Sequence, residues 1–464
     1  MAKTVEREVR LEPADDFVLP ELPGGPLEDR VFTSTYHDTP RLSLARVGIT
    51  LRRRLENGVS LWQLELPREG AGAAVEERGG PAAPPGAVND LLVAHLRHGP
   101  LQPVATLRTR RSGVRVLDGD RTVADVTFDR VDVLDGSRSL GRFGELEVQL
   151  VDGDPDDLDR LSRTLRDAGA APGPGPVSVM RVLPLDLEPE PGRKASPVEH
   201  VRHLLRRQFL MLEAHDPGVR LGDDIEDMHR LRVASRRSRA LLRAARALVG
   251  DRLEPLNAEL RWLGSVLGPV RDLDVLLEHL NEEATTLVAD REGVGRILAA
   301  FEAQRDEARA AMLQALSGER YLALLDRFEV DLAQLPALAT PVTLQSLALR
   351  DLKRLRKAMR ELGDDPPDDA LHAARIRAKR ARYTAELAGT VEKPFRRVAA
   401  ALTELQDTIG AHQDAVVADE KIRSVADSVA AGRLIEREYA RRARARADMP
   451  GVWHRIKRAS AGVK

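Results

Sequence analysis

The stretch DMHRLRVASRRSRALLRAAR, residues 227–246, places one histidine ahead of seven arginines on a segment that is predicted to be helical. At 3.6 residues per turn, one stripe of that helix would carry His229, Arg232, Arg236, Arg239 and Arg243. Like charges stacked in this way repel one another, and either acidic neighbours or a bound polyanion could compensate them. The 464-residue chain has a net charge of only −1, so this positive charge is a local feature.

The segment ALHAARIRAKRARYTAEL, residues 370–387, repeats this pattern. Its corresponding stripe holds His372, Arg375, Lys379 and Arg382. Further along each copy, LGSVLGPVRD at 263–272 matches LQDTIGAHQD at 405–414. Two matches in the same order indicate an internal repeat. We therefore predict an all-α, duplicated helical bundle with pseudo-twofold symmetry, which would bring the two stripes to one surface.

Such a surface would suit a linear anion with regularly spaced charges, and both nucleic acid and inorganic polyphosphate fit that description. Base recognition usually needs exposed aromatic side chains for stacking. Aromatic residues make up 3% of the chain and are absent from the first basic helix, which favours a bare phosphate chain. Two alternatives stay open here: a solvated face, or arginines joined to acidic side chains of neighbouring helices. The histidines could be core residues, metal ligands or phosphate donors.

The segments MHRLRVASRRSRALLR, LHAARIRAKRARYTAE and LGPVRDLDVLLEHL resemble the CHAD domain, the conserved-histidine α-helical domain, over about residues 196–460. The resemblance implies a duplicated helical bundle that binds inorganic polyphosphate on a basic surface. It also implies that the stripe at 229–243 forms one wall of the binding surface and the stripe at 372–382 the other.

Up to about residue 188, short β-rich runs are separated by Gly, Pro, Asp and Asn, which is the pattern of strands and turns. Four of these runs place charged or polar side chains at alternate positions, and alternate positions share one face of a strand. The acidic runs hold Glu6, Glu8 and Arg10, and Glu145, Glu147 and Gln149; the basic runs hold Arg52 and Arg54, and Arg108 and Arg110. In an ordinary sheet these faces would be solvated, whereas in a closed barrel they would line the interior.

Inside a barrel, the carboxylates would bind Mg²⁺ or Mn²⁺ and the arginines would hold phosphate oxygens. That combination suits metal-assisted hydrolysis of a phosphoanhydride. The sequence contains no glycine-rich P-loop and no Walker lysine, so it offers no ordinary NTPase site.

The motifs EREVR, YHDTP followed by GITLRRR, WQLELP, FDRVDV and GELEV resemble the CYTH domain of the triphosphate tunnel metalloenzymes over about residues 4–186. The resemblance implies an antiparallel, eight-stranded β tunnel or barrel with helices, which hydrolyses a triphosphate compound, often inorganic triphosphate, with a divalent cation. The implied catalytic residues are Glu6, Glu8 and Arg10; the metal or water-positioning carboxylates are Glu6, Glu8, Asp129, Glu145 and Glu147; and the phosphate contacts are Arg10, Arg52, Arg54, Arg108 and Arg110, with Arg111 as the alternative to Arg110.

Two positions depart from the family pattern. Glu65 in WQLELP stands where the family commonly has a phosphate-binding lysine, and it reverses a charge in the tunnel if it faces inward. It could pair with a neighbouring arginine or weaken substrate binding. Gln149 replaces an acid often seen in the last carboxylate strand, which removes one metal contact.

The chain is thus predicted to be an α+β multidomain protein, with a CYTH-like tunnel domain at 1–188, a linker at 189–197 and a CHAD-like helical domain at 198–462. The first hypothesis is a metal-dependent triphosphatase whose helical domain binds polyphosphate. The alternative is a non-catalytic polyphosphate-binding protein with a degenerate tunnel. A nucleic-acid-binding helical protein is the third hypothesis.

The chain has no cysteine, which excludes disulfides, thiolate metal sites and cysteine nucleophiles. Its N-terminus lacks the apolar run of a signal peptide, and no stretch approaches the roughly 18 apolar residues that span a membrane. We therefore expect a soluble cytoplasmic protein without a membrane partner, associated with polyphosphate granules. The oligomeric state is left open.

Overall fold

The computed structural model describes residues 8–67, 73–80, 83–97, 99–173, 178–186, 188–335, 342–363 and 366–463. The chain divides into two compact units. The first consists of Met1–Glu188 with Asp216–Leu221, and the second of Pro189–His215 with Gly222–Lys464.

The described part of the first unit contains one antiparallel sheet, as predicted. Eight strands have at least six residues: β1 (Glu8–Pro13), β3 (Arg30–Asp38), β4 (Thr50–Glu56), β5 (Val59–Leu66), β6 (Ala73–Arg78), β7 (Gln102–Asp118), β8 (Arg121–Asp135) and β9 (Arg138–Leu150). Two have three residues: β2 (Gly24–Pro26) and β10 (Ala170–Pro172). Hydrogen-bonded neighbours follow the order β10-β1-β9-β8-β7-β3-β4-β5-β6, and β2 pairs with β7. Among the described strands, β10 and β6 end this order without pairing to each other, so a closed eight-stranded tunnel stays a prediction.

Three short helices accompany the sheet: α1 (Gly86–Leu91), α2 (Val93–Leu96) and α3 (Pro155–Asp167). Leu146 and Val148 of β9 are buried in one apolar cluster with Leu158 and Leu161 of α3. Because successive side chains of a strand point to opposite faces, burying these two residues against α3 directs the polar residues of β9 to the other face.

The YHDTP motif shapes the entry to β4. The buried carboxylate of Asp38 accepts backbone N–H bonds from Thr39 (2.7 Å), Leu44 (3.0 Å) and Ala45 (2.9 Å). These bonds satisfy backbone donors that the turn would otherwise leave unpaired. The aspartate of this motif therefore has a structural explanation.

The described part of the second unit is all-helical, as predicted. Its helices are α4 (Pro197–Leu221), α5 (Ile225–Val249), α6 (Glu254–Ala284), α7 (Arg291–Leu316), α8 (Glu319–Ala333), α9 (Leu344–Glu361), α10 (Asp368–Ala388), α11 (Pro394–Val425) and α12 (Val429–Ala459). In the internal repeat, α5 corresponds to α10 and α6 corresponds to α11. One core joins Leu280 of α6, Phe301 of α7, Ile422 of α11 and Leu434 of α12. Symmetry of the whole bundle stays a prediction.

None of the helices in the described ranges is both long enough and apolar enough to span a membrane.

Candidate phosphate sites

One face of the sheet surrounds a polar cavity of about 270 Å³. Side chains from β1, β3, β4, β5, β7, β8 and β9 line it, so the sheet curves around this space. The cationic lining residues are Arg10, Arg52, Arg54, Arg111 and Arg181, and the acidic ones are Glu12, Glu65, Asp129, Glu145 and Glu147. The cavity therefore holds both the cations and the carboxylates that phosphoanhydride chemistry requires.

The acidic side of the cavity is built on β9 and its neighbour β1. Glu147 lies opposite Arg10, and Glu8 lies opposite Gln149. Arg10 Nη2 is 3.8 Å from Glu147 Oε1 and 3.6 Å from Glu8 Oε1, so this cation lies between two carboxylates. Burial raises the pKa of Glu147, and although Arg10 and Arg111 oppose the shift, the carboxylate of Glu8 adds to it.

Arg111 occupies the β7 position that the sequence left undecided. Its guanidinium binds Asp129 of β8 through two hydrogen bonds of 2.8 Å, Nε to Oδ1 and Nη2 to Oδ2. Leu107, Thr109 and Arg111 line the cavity. The prediction that Arg108 and Arg110 face the interior is wrong, because both are exposed on the opposite face of β7. The alternation was right and its phase was shifted by one residue.

Glu65 lines the cavity, and the arginine that it neutralises is Arg52. Arg52 Nη2 lies 2.9 Å from Glu65 Oε1, and Arg52 Nε donates to Gln63 Oε1 at 2.8 Å. The hydroxyl of Thr50 also donates to Glu65, at 3.3 Å. Burial raises the pKa of Tyr36, whose hydroxyl accepts a 3.3 Å hydrogen bond from Arg52. The charge reversal at Glu65 is thus compensated by one of the predicted phosphate-binding arginines.

The second arginine of β4 is held by an aromatic ring. The guanidinium carbon of Arg54 lies 3.8 Å from the centroid of Phe32, within the range of a cation–π contact. Its Nη2 also donates to Glu56 at 2.7 Å. Burial is the main cause that lowers the pKa of Arg54. Arg54 is therefore fixed in orientation and partly desolvated.

An apolar cluster lies beside the cavity and shares Tyr36 and Leu107 with its lining. Tyr36, Leu107 and Val131 form a cluster with Val179 from the short 3₁₀-helix Ser178–Arg181. Arg181 lies over the ring of Phe143 at 4.7 Å and pairs with Glu12. Neither Arg181 nor Glu12 was among the residues predicted from the sequence. Glu12 continues the alternation of EREVRLE and was detectable, whereas nothing local marked Arg181.

The predicted metal ligands are only partly brought together. Glu145, Glu147 and Asp129 line the cavity. Glu8 lies 3.6 Å from Arg10, which is itself a lining residue. Glu6 lies outside the described residues. Gln149 is exposed and is not a lining residue, so its substitution leaves the cavity wall unchanged. Within the described ranges, no three His, Cys, Asp or Glu side chains are grouped so as to hold a metal ion.

The first stripe of the second unit lies on α5, where the structure compensates some of its charges. Arg232 Nη1 is 2.7 Å from Asp272 Oδ1 of α6, so the acidic-neighbour alternative holds at this position. His229 is half-buried, and burial lowers its pKa, followed by the charge of Arg271. Arg239 packs against α6, where Gly264 leaves room for its guanidinium.

The second stripe lies on α10. Burial, and after it the charges of Arg375 and Arg236, lower the pKa of Lys379 to about 8. Arg375 packs against Gly410 of α11. Arg382 is only 12% exposed, and its Nε lies 3.5 Å from Glu386 Oε1. His372 is exposed.

The two stripes lie close enough for the charges of Arg232 and Arg236 on α5 to lower the pKa of Lys379 on α10. In the part of the chain that the structure describes, the following stripe cations form no ion pair with a carboxylate: Arg236, Arg239, Arg243, Arg375 and Lys379. We call Arg232, Arg236, Arg375 and Lys379 the basic strip. Its net charge is positive even with Asp272 beside it.

These features define a two-domain class of protein, with a charged cavity in an antiparallel sheet followed by a helical domain with paired basic helices. The model of the CYTH domain matches residues 2–181, and the model of the CHAD domain matches residues 203–423. The chain belongs to the proteins that join a CYTH domain to a CHAD domain, and its first unit is a member of the triphosphate tunnel enzyme family.

The chain is also similar to the following proteins. The uncharacterized protein Rv2226 of Mycobacterium tuberculosis H37Rv is 33% identical over 425 residues, which cover 84% of this chain and 81% of the relative. The crystal structure of the CHAD domain from the plant Ricinus communis has 25% identity and a TM-score of 0.50, and the match covers 63% of this chain and 98% of that one. The structure of HpAC1 from Hippeastrum, described as revealing a dominant triphosphatase activity, matches 39% of this chain and 99% of its own at 16% identity and a TM-score of 0.26.

Proposed function

We propose that the first unit hydrolyses a triphosphate compound, inorganic triphosphate in particular, with Mg²⁺ or Mn²⁺, and that the second unit binds inorganic polyphosphate. The observation that carries the catalytic part is the cavity in which Glu145 and Glu147 face Arg52, Arg54 and Arg111. Phosphate chains carry charge on every unit, and forked guanidinium donors match their oxygens.

The arginines would bind and orient the substrate. Arg54 is held by Phe32 and Glu56, so it presents its guanidinium with little loss of freedom on binding. Arg111 must exchange Asp129 for a phosphate oxygen, and that exchange would release the carboxylate of Asp129 into the cavity. Arg52 would likewise exchange Glu65 for substrate.

The carboxylates that would hold the cation are Glu145 and Glu147, with Glu8 and Glu6 from the first strand. Hard divalent cations prefer carboxylate oxygens, and the pKa of the Glu147 carboxyl is raised, chiefly by burial and further by the charge of Glu8. A bound cation would neutralise charge on the phosphate oxygens and orient the attacking water. In the free protein, Arg10 lies between Glu8 and Glu147 and offsets the repulsion between their two carboxylates.

The alternative, a non-catalytic polyphosphate-binding protein, draws on two observations. Glu65 neutralises Arg52, and in the described chain no group of three acidic or histidine ligands converges. Phosphate release from inorganic triphosphate with Mg²⁺ or Mn²⁺ separates the two functions. We expect metal-dependent turnover in the wild type and its loss in Glu6→Ala/Glu8→Ala, with Glu77→Gln as a matched control outside the cavity. Absence of turnover in folded wild type that still binds polyphosphate would favour the alternative.

Polyphosphate binding is supported by the basic strip, whose cations repel one another in the free protein. We expect Arg236→Ala/Lys379→Ala to lose long-chain polyphosphate in a direct binding assay. Arg296→Ala/Arg455→Ala removes two exposed charges elsewhere and should leave binding unchanged. Competition by DNA or RNA at equal phosphate concentration would favour the third hypothesis. Association with cytoplasmic polyphosphate granules is the corresponding expectation in the cell.

A further inference from the structure

Where α5 contacts α10, an ion pair between the two helices can be compared with the two residues that occupy the exchanged positions of the repeat. Arg237 of α5 lies 3.3 Å from Glu386 of α10. In the repeat, Arg237 corresponds to Arg380 and Glu386 corresponds to Arg243. The exchanged counterpart of this ion pair is therefore Arg243 with Arg380, and these two residues line the same hollow.

The two counterparts differ in charge. One side of the contact holds an ion pair, whereas the other holds two guanidinium groups. Burial, and after it the charges of Arg239 and Arg380, lower the pKa of Arg243. Among the described residues, neither Arg243 nor Arg380 has an ion pair with a carboxylate. Like charges that meet without compensation favour an anion between them.

Further cations surround this pair. A hollow of about 410 Å³ is lined by Arg243, Arg246, Arg350, Arg354 and Arg380, and it contains one carboxylate, that of Asp351. We call it the arginine hollow. Arg354 Nη1 lies 3.2 Å from Asp351 Oδ1, and Arg350 Nε lies 3.8 Å from the same oxygen. Arg246 pairs with Asp251. Three of the five arginines thus lie within 4 Å of a carboxylate, whereas among the described residues Arg243 and Arg380 form no such pair.

The hollow continues along α9. A second hollow of about 410 Å³ shares Asp351, Arg354 and Arg380 with the first and adds Lys357, Arg377 and Glu361, whose carboxylate lies 3.7 Å from Lys357 Nζ. The side chains that are neither charged nor polar in the two linings are alanines and the ring of Tyr383, which is 4% exposed. Because the ring of Tyr383 is buried, the described lining presents no exposed aromatic ring on which a base could stack, and the site suits a bare anion better than a nucleotide.

We propose that the arginine hollow is a separate binding site for a compact, multiply charged phosphate anion, either a short oligophosphate or one end of a longer chain. This inference rests on the proposed affinity of the second unit for phosphate. It adds α9 to the binding surface through Arg350 and Arg354, and it makes the two copies of the repeat unequal. Arginine forks that converge on one hollow provide several charge-assisted hydrogen bonds, and these require no divalent cation.

The test is calorimetric titration of the full chain with inorganic triphosphate in EDTA, which removes the metal that the sheet cavity is proposed to need. Arg243→Glu gives the first copy the acid that Glu386 supplies in the second, so Arg380 gains an ion-pair partner. We expect triphosphate affinity to fall at least about tenfold, while Tm stays equal or rises because a repulsion is removed. Wild-type affinity in Arg243→Glu would overturn the proposal.

Two further variants separate this site from the basic strip. Arg380→Ala should lose triphosphate affinity, whereas Arg237→Ala, at the equivalent position of the repeat, should keep it. Arg236→Ala/Lys379→Ala should lose long-chain polyphosphate but keep triphosphate in EDTA. If the wild type binds long chains and not triphosphate, the hollow is refuted while polyphosphate binding stands. If it binds neither, polyphosphate binding by the second unit fails as well.

Discussion

Arg111 and Asp129 are joined across β7 and β8 by two parallel hydrogen bonds of 2.8 Å. A phosphate group that enters the cavity must compete with this carboxylate, and the competition couples substrate binding to the release of Asp129. We expect Arg111→Ala to reduce kcat/KM for triphosphate by at least about tenfold, because a charge-assisted contact is lost. Steady-state phosphate release measures this.

Arg110→Ala is the matched control for that experiment. Arg110 is the adjacent residue and is exposed on the other face of β7, so its removal should leave kcat/KM within about twofold of wild type. Equal losses in the two variants would contradict the cavity-facing position of Arg111.

Glu65 should limit the use of Arg52 by substrate. Replacing it by glutamine removes the charge that holds Arg52 at 2.9 Å while it keeps a hydrogen-bond acceptor for Thr50. We expect Glu65→Gln to lower KM for triphosphate about threefold to tenfold, since Arg52 would no longer have to leave a carboxylate. An unchanged or higher KM, with Glu77→Gln as the comparison, would mean that the pair positions Arg52 and does not inhibit it.

The pH dependence of polyphosphate binding should report on Lys379. Its pKa is lowered to about 8, chiefly by burial, so the lysine loses its proton as pH rises through that value. We expect affinity for long-chain polyphosphate to fall between pH 7 and about pH 9, a window in which an unperturbed lysine stays charged. Fluorescence titration at constant ionic strength would follow it.

Lys379→Arg should remove this pH dependence, because a guanidinium keeps its proton across the range. The stability of the free protein should change with pH in the opposite direction. The pKa of Lys379 is lower in the folded than in the unfolded chain, so stability rises as pH increases from about 8 toward 10.5. Identical pH profiles for wild type and Lys379→Arg would show that another group is responsible.

Glu147 is one of the proposed metal ligands, and burial raises its pKa. A carboxyl with a folded pKa above its unfolded value contributes stability at low pH, and this contribution is lost as pH rises through the raised pKa. In the metal-free protein at pH 7, Glu147→Gln should therefore keep or raise Tm. The increase in Tm that Mg²⁺ gives the wild type should be reduced or absent in the variant.

Thermal unfolding with and without Mg²⁺ measures this without relying on turnover. Glu77→Gln is the matched comparison, because it removes a carboxylate of the same sheet that does not line the cavity. A normal Mg²⁺ response in Glu147→Gln would exclude Glu147 as a ligand.

The sequence predicted the sheet, the helical repeat and most of the charged residues that meet in the cavity. Alternation along β9 was sufficient to predict that Glu145 and Glu147 face the cavity. A strand has only two faces, and the apolar residues that alternate with these glutamates must be buried on the other one. The same rule failed for β7, where four polar or charged residues in a row, RTRR at 108–111, give no apolar marker of phase. Pairing with β3 and β8 decided that phase.

The amino-acid sequence by itself determined which residue types lie on each strand and helix, since local periodicity and turn residues depend only on neighbours in the chain. Tertiary structure alone decided which charges meet: Arg52 with Glu65, Arg181 with Glu12, and Arg243 with Arg380. The physical reason is that electrostatic pairing depends on distance in space, and the strand register and helix crossing that set those distances come from burial of apolar faces far apart in sequence.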